Sequence, residues 1–369
     1  MRFDVVVLGG GIIGCATAWE LAQRGRRVAL IERGMIGAEA SKAAAGILSG
    51  QMDVERPGPF FDLCQASTRL YPAWVRALER ASGRPVGYHG DGILYLACSR
   101  ADVQRMDARR RWQTRRGLRV ERWSPRDVSR REPNVQGRIR AGFFFPAESQ
   151  VDNVELMEAL ASACRKAGVR IEERTDAQQV LVRRRRVTGI RTSRGTYHAP
   201  VVVNCLGSWA PLRGAPIPRP VIAPARGQML AFDAPTRLLR HVVMAEAAYG
   251  VQRRDGRLIV GSTVEFVGFD RRVTLDGMAR ILSGFRSVMH PRVFDRATFR
   301  EAWAGLRPYT IDRRPILGAT RIAGLYMAVG HFRHGILLAP FTARLMAELI
   351  LTGRASFDLS PFSLDRFRR

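Results

Sequence analysis

The run Val5-Val6-Val7-Leu8, followed at once by Gly9-Gly10-Gly11-Ile12-Ile13-Gly14, constrains this chain more than any other stretch. Four apolar residues, three of them β-branched, read as a strand buried on both faces. The glycines fit G-x-G-x-x-G. Cys15 to Gln23 reads as a helix closed by Gly25, and a second strand, Val28-Ala29-Leu30-Ile31, ends at Glu32. Strand, glycine turn, helix, strand and acid in this register make a dinucleotide-binding βαβ unit. Gly9 makes the tight turn, Gly11 lets the backbone approach a pyrophosphate, and Gly14 lets helix and strand pack closely. The helix N-terminus offers free N–H groups and the positive end of its dipole to phosphates. Glu32 is placed to accept hydrogen bonds from a ribose 2′-hydroxyl, which disfavours a 2′-phosphate.

With 369 residues the chain is long enough for two domains, or for one domain with a large insertion. No stretch reads as the roughly 18 apolar residues of a membrane span. The first strand begins at residue 5, which leaves no room for a signal peptide. Five scattered cysteines (Cys15, Cys64, Cys98, Cys164, Cys205) without a C-x-x-C fit reduced thiols in a cytoplasm.

The formal net charge of +27 raises the question of an anionic partner. Only Lys42 and Lys166 among the 60 basic residues are lysine, so the excess is almost wholly arginine. Such a bias reads as base-composition pressure on codons rather than a binding face. The runs Arg109-Arg110-Arg111 and Arg183-Arg184-Arg185-Arg186 are expected to be solvated, the first on a charged helix and the second at a turn. No nucleic-acid module accompanies the charge, so nucleic acid is not an expected partner. A weak contact with an anionic membrane is the more plausible use of it.

Beyond Glu32 the segment from Ala38 to Gly50 is small and polar, and Ser41 with Ala43-Ala44-Ala45-Gly46 lets backbone lie against something large and flat. Residues 60 to 82 read as a helix, 93 to 97 as a strand and 101 to 116 as an exposed helix. Asp152 caps a helix ended by Gly168. Strands follow at 169–172, 179–182, 187–192 and 197–206, and Val201-Val202-Val203 is expected to return beside the first strand. A proline-rich crossing at 211–224 leads into alternating β pattern over 226–264. A helix covers 274–289, and residues 299–306 lead back to a last helix, Ile336 to Leu351, stopped by Gly353. The expected fold is therefore α/β (α+β): a Rossmann-like nucleotide domain with an inserted antiparallel β-rich substrate domain. The nucleotide domain would comprise 1–85, 140–215 and 305–369, and the substrate domain 86–139 and 216–304.

Two late motifs are more specific: Trp303-Ala304-Gly305-Leu306-Arg307-Pro308 and Gly330-His331-Phe332-Arg333-His334-Gly335-Ile336-Leu337-Leu338-Ala339-Pro340. With Ser41 to Gly46, Gly261-Ser262-Thr263 and the N-terminal fingerprint, the chain from residue 3 to about 365 resembles the FAD-dependent D-amino-acid oxidase superfamily. Its likeness is greatest to the glycine oxidases of thiamine biosynthesis. The resemblance implies a flavoenzyme that oxidises glycine, other small amines or D-amino acids to the imine or 2-oxo acid, reducing O2 to hydrogen peroxide and releasing ammonia, with the glycine imine feeding the thiazole. A related alternative is a membrane-associated glycine or D-amino-acid dehydrogenase that passes electrons to another acceptor. A cytoplasmic homo-oligomer is expected.

By that resemblance FAD contacts fall on Gly9, Gly11, Ile12, Ile13 and Gly14, on Glu32 and Arg33, and on Ala40, Ser41, Ala45, Gly46 and Ile47. They continue at Val180, as a backbone contact to adenine, and along His331, Phe332, Arg333, His334, Gly335, Ile336 and Leu337. A guanidinium fork is the natural clamp for a substrate carboxylate. Arg307 resembles the family's clamp, Arg333 is a second candidate, and Tyr249 resembles the tyrosine that adds a hydrogen bond. Gly335 would open the last helix toward the flavin. His331 and His334 lack the partners for a metal, so no metal is expected. Tyr309, where the family usually has glycine, would narrow the pocket; Ala247 and Val264, where some relatives carry larger residues, would widen it.

Overall fold

The computed structural model describes residues 1–215, 217–218 and 221–367; residues 216, 219 and 220, inside the expected crossing 211–224, lie outside them. In chain order the first elements are β1 (Val5–Leu8), α1 (Ile12–Gln23), β2 (Val28–Ile31), β3 (Ile47–Leu48), α2 (Pro59–Ser82), β4 (Ile93–Ala97) and α3 (Arg100–Arg115). They are followed by β5 (Glu121–Trp123), α4 (Pro125–Arg131), β6 (Ala141–Phe145), β7 (Ser149–Gln150), α5 (Asn153–Lys166), β8 (Arg170–Glu172), β9 (Ala177–Arg183), β10 (Arg186–Thr192), β11 (Gly195–His198) and β12 (Val201–Asn204). The rest are β13 (Ile222–Asp233), β14 (Val242–Met244), β15 (Tyr249–Gln252), β16 (Arg257–Gly261), α6 (Leu275–Arg286), α7 (Arg292–Arg296), β17 (Thr298–Thr310), β18 (Ile316–Ala319), β19 (Leu325–Val329) and α8 (Gly335–Thr352).

Two sheets dominate. One has the order β18-β19-β12-β1-β2-β8, with β1 flanked in parallel by β12 and β2. Every residue of β1 and β2 is buried, as their unbroken apolar sequences require. Helices α1, α2, α5 and α8 pack into one core against this sheet. The other sheet, β17-β13-β16-β15-β14-β4-β6-β5, is antiparallel except where β14 pairs with β4. A small antiparallel sheet, β11-β10-β9, packs on the other face of the first sheet, where Val180, Val187, Ile190 and Tyr197 share a core with Val6, Leu8, Ala29 and Ile31.

The expected architecture stands, with local corrections. Helix α1 starts at Ile12, not Cys15, because its first turn is built from the fingerprint itself. The expected single strand at 197–206 is two, β11 and β12, which belong to different sheets and break at Ala199-Pro200, where proline has no N–H to donate. Strand β6 and residues 305–310 of β17 lie in the large antiparallel sheet, beyond the expected boundaries at 140 and 305.

Contrary to the expectation that no stretch is apolar enough for a membrane span, helix α8 is long and apolar enough by composition to cross one. Here it is a core helix, packed with α1 and α2, and its mid-section is buried. The run 183–186 is exposed at the β9–β10 turn as expected, with Arg184 and Arg185 at positive φ. The run 109–111 is not uniformly solvated. Arg109 is buried, and its guanidinium donates to the Met52 carbonyl.

Candidate active site

A deep pocket runs from the end of β1 to the middle of β17, between the two large sheets. At its inner end Gly9 leaves β1 with φ +99°, and a Cβ there would sit 2.5 Å from the Cys205 carbonyl oxygen. A Cβ on Gly14 would overlap the Gly9 carbonyl. Gly11 is different. Its backbone is extended, and a Cβ would meet only Ser41 Oγ, at 3.2 Å. Ser41 Oγ accepts from the Ile12 N–H at 2.9 Å. The N–H groups of Gly11 and Ile13 have no partner among the described residues, so the first turn of α1 presents free donors at the pocket wall.

Glu32 lines the same end, and its carboxylate is fixed from two sides. One oxygen accepts from the Gly10 N–H and the other from the Gly34 N–H, both at 2.7 Å. Arg33 stacks on Trp209, with the guanidinium 3.7 Å from the ring centre, and pairs with Glu39 at 2.6 Å. All three line the pocket. The long wall is the small-residue segment 40–47, where Trp303 Nε1 donates to the Ala43 carbonyl at 3.1 Å. Gly305 faces Ala43 so closely that a Cβ would lie 2.5 Å from the alanine methyl.

Below this wall, residues 49–53 are held by a buried polar cluster. Glu148, 1% exposed, accepts from the N–H groups of Gln51 and Met52, and Gln113 donates to the Gln51 carbonyl at 2.8 Å. Burial pushes the Glu148 carboxyl up to about 8. Between the ordinary carboxyl range and that value the folded chain keeps a proton that the unfolded chain has lost. Stability therefore falls as pH rises through this window and levels off above it. Glu148→Gln keeps an acceptor for both N–H groups and removes the ionisation. Its thermal midpoint should vary less than that of the parent between about pH 5 and pH 9, and equal slopes in the two proteins would refute this origin.

At the outer end Arg307 projects from β17. Its guanidinium donates to the Thr263 carbonyl at 3.0 Å and to Ser262 Oγ at 2.9 Å. Opposite it lies Gly227, where any Cβ would overlap the guanidinium. Burial draws the Arg307 pKa down, although Tyr249 beside it acts in the other direction. The Tyr249 hydroxyl contacts Met229 Sδ at 3.2 Å, and both residues line the pocket. Arg333 is exposed at the rim, 5.4 Å from the Phe332 ring centre, and has no acidic partner among the described residues.

Helix α8 begins at Gly335 with His334 at its N-cap. His331 and His334 are both buried, and desolvation keeps them neutral, His331 falling to about 3. His331 Nε2 meets Thr342 Oγ1 at 3.2 Å, and His334 packs edge-on against Phe60. Among the described residues no acid or thiol joins them in a metal-binding group.

The pocket thus gathers Gly9, Gly11, Ile12, Ile13, Glu32, Arg33, Ala40, Ser41, Ala45, Gly46 and Ile47 with His331, Phe332, Arg333, Gly335, Ile336, Tyr249 and Arg307. Gly14, His334 and Leu337 are not among the lining residues. Val180 is buried in β9 and is not among the lining residues, and its N–H is given to the Arg213 carbonyl at 2.9 Å. Tyr309 does not reach the lining; its ring packs on Phe266 and Phe332. Ala247 lines the pocket and Val264 does not. Sequence reasoning missed the roles of Trp209, Glu39 and Gly227. Nothing local marks them, because each acts across the fold on a residue at least 6 positions away.

A family profile described as DAO, FAD dependent oxidoreductase, matches residues 4–349. The chain belongs to this family. The oxidoreductase is 34% identical over 373 residues to the glycine oxidase of Geobacillus kaustophilus, covering 99% of this chain and 97% of that protein. It is 36% identical over 371 residues to the bifunctional protein ThiO/ThiG of Synechocystis sp., covering 99% of this chain but 54% of that protein, so it spans about half of the bifunctional relative. The crystal structure of the Geobacillus kaustophilus glycine oxidase superposes with a TM-score of 0.94 at 32% identity over 99% of each chain. FAD is the cofactor of this family, and the pocket fits it. Free amide donors stand at the N-terminus of α1, a fixed carboxylate ends β2, and a wall of small residues faces the cavity between them and Arg307.

Proposed function

We propose that this oxidoreductase oxidises glycine and other small amines or D-amino acids with O2, giving the imine or 2-oxo acid, hydrogen peroxide and ammonia. One observation carries the reading: a half-buried arginine, Arg307, in the same pocket as the fingerprint residues, with Tyr249 beside it and small residues such as Gly227 and Gly305 in the lining. The likeness to glycine oxidases supports the same substrate class.

When bound, FAD supplies the two-electron acceptor. The chain's part is to bind and orient. Arg307 takes the substrate carboxylate as a fork, and the Tyr249 hydroxyl adds a hydrogen bond to it. Holding a small zwitterion by its carboxylate fixes the direction of its Cα–H, and such orientation accounts for much of the rate. The amine loses its proton to water before oxidation; among the described residues, the titratable groups that act on Arg307 are Tyr249 and Arg333, not a carboxylate. The free N–H groups of Gly11 and Ile13 would hold the pyrophosphate, Glu32 the ribose, and the first turn of α8 the flavin ring. The overall change from glycine is C2H5NO2 + O2 + H2O → glyoxylic acid + NH3 + H2O2. Before hydrolysis the imine is available for thiazole synthesis in the cytoplasm, and a homo-oligomer is the proposed working form.

Glycine, sarcosine and D-alanine should each be mixed with the purified yellow enzyme without air. Bleaching of the flavin band, then recovery with one peroxide per ammonia on adding O2, is the expected result. Dye reduction without oxygen uptake would make the protein a dehydrogenase, and no bleaching with any amine would refute the amine reading.

A further inference from the structure

Arg253 lies at the start of the turn between β15 and β16, on the antiparallel sheet, yet it is 6% exposed and bonded to the opposite domain. One terminal nitrogen donates to Gln150 Oε1 at 2.9 Å. The other donates to the Ala45 carbonyl at 2.8 Å and to Asn153 Oδ1 at 3.1 Å. Its Nε stands 3.7 Å from Asp152. Burial draws its pKa down to about 10 while Asp152 acts against that, so the side chain is a cation at neutral pH.

These partners converge on one object, the segment 41–46 that walls the FAD pocket. Asn153, fixed by Arg253, donates through Nδ2 to the carbonyls of Ser41 and Lys42 at 3.0 and 2.8 Å. The Gly46 carbonyl accepts from the Val151 N–H at 2.9 Å, and a Cβ on Gly46 would overlap the Val151 carbonyl. Ser41 Oγ, at the head of this segment, holds the first turn of α1. A buried cation spending its donors on neutral carbonyl and amide oxygens has a large desolvation cost. An aliphatic side chain would fill the space but leave Gln150 Oε1, the Ala45 carbonyl and Asn153 Oδ1 without this donor, so the cation is kept for what it holds.

We infer that Arg253 is a positioning residue for the cofactor: it reaches across from the substrate sheet to hold the carbonyls of the 41–46 wall in the shape that receives FAD. It touches neither cofactor nor substrate and acts through Ala45 and Asn153.

Arg257 provides the control. It pairs with the same Asp152 at 2.6 Å, but makes no contact with the wall. FAD affinity, read by quenching of free-flavin fluorescence, and the shape of the bound flavin band should be measured for Arg253→Met, Arg253→Lys and Arg257→Met. Arg253→Met should weaken FAD binding at least about tenfold and shift the band. Arg253→Lys should recover part of the loss, and Arg257→Met should leave both readouts at parental values. If Arg253→Met does not fold, Asn153→Ala, which removes two of the wall contacts, should weaken FAD binding in the same direction. Parental FAD affinity in every folded variant at 153 and 253, or equal losses at 253 and 257, would overturn the proposal.

Discussion

Gly11→Val should give a folded protein that purifies colourless. Of the fingerprint glycines, Gly9 and Gly14 are demanded by the fold: one has φ +99° and the other is pressed against a carbonyl. Gly11 has an extended backbone that any residue adopts, and its missing side chain faces the pocket, with Ser41 Oγ as its one close neighbour. A valine there projects into the space beside the free amides of α1, where a pyrophosphate would lie. It also presses on Ser41, which carries the Ile12 N–H. FAD affinity should drop on the order of a thousandfold, about 4 kcal/mol. The thermal midpoint measured without FAD should stay close to that of the parent apo-protein. A yellow, fully loaded variant would remove Gly11 from the cofactor site. A variant that no longer folds would mean that its role is packing.

The same contrast separates what the sequence makes legible from what it hides. The core βαβ unit is readable because its signals are local and redundant: β-branched runs, glycines at fixed spacing and an acid at the strand end. The Asp152 cap and the Gly168 stop are equally local, and both stand. Arg307 is legible because it sits in a small apolar motif, where a solvated arginine would be out of place. Arg109 is hidden by the opposite circumstance. It lies in a charged run, and only tertiary contact with the Met52 carbonyl reveals that it is buried. Arg253 is obscured in the same way, in the run Arg253-Arg254-Asp255 that reads as a turn. Strands β18 and β19 escape because they are short and interrupted or flanked by glycine, at Gly318 and at Gly324 and Gly330. Helix α8, obvious as a helix, is apolar enough to cross a membrane, and only its packing against α1 and α2 identifies it as core.

Arg307→Ala should leave a yellow enzyme with a greatly raised KM. The guanidinium is half-buried, so a carboxylate reaching it meets less competing water than at the surface, and removing one partner of such a pair costs about 2–5 kcal/mol. That range corresponds to a KM increase of roughly thirty- to several-thousandfold for glycine. FAD affinity should be unchanged, because Arg307 bonds to Thr263 and Ser262 and to none of the fingerprint residues. Arg307→Lys restores charge but not the fork, so it should recover only part of the effect. Gly227→Ala tests the same geometry without touching the arginine. A methyl there would overlap the guanidinium, which must leave its bonds to Ser262 and Thr263. KM should rise in Gly227→Ala as well, with flavin content intact. Because both substitutions act on one group, combining Gly227→Ala with Arg307→Ala should add almost nothing to Arg307→Ala alone. Simple additivity of the two effects, or a parental KM in either single variant, would place the carboxylate clamp elsewhere, with Arg333 at the rim the next candidate.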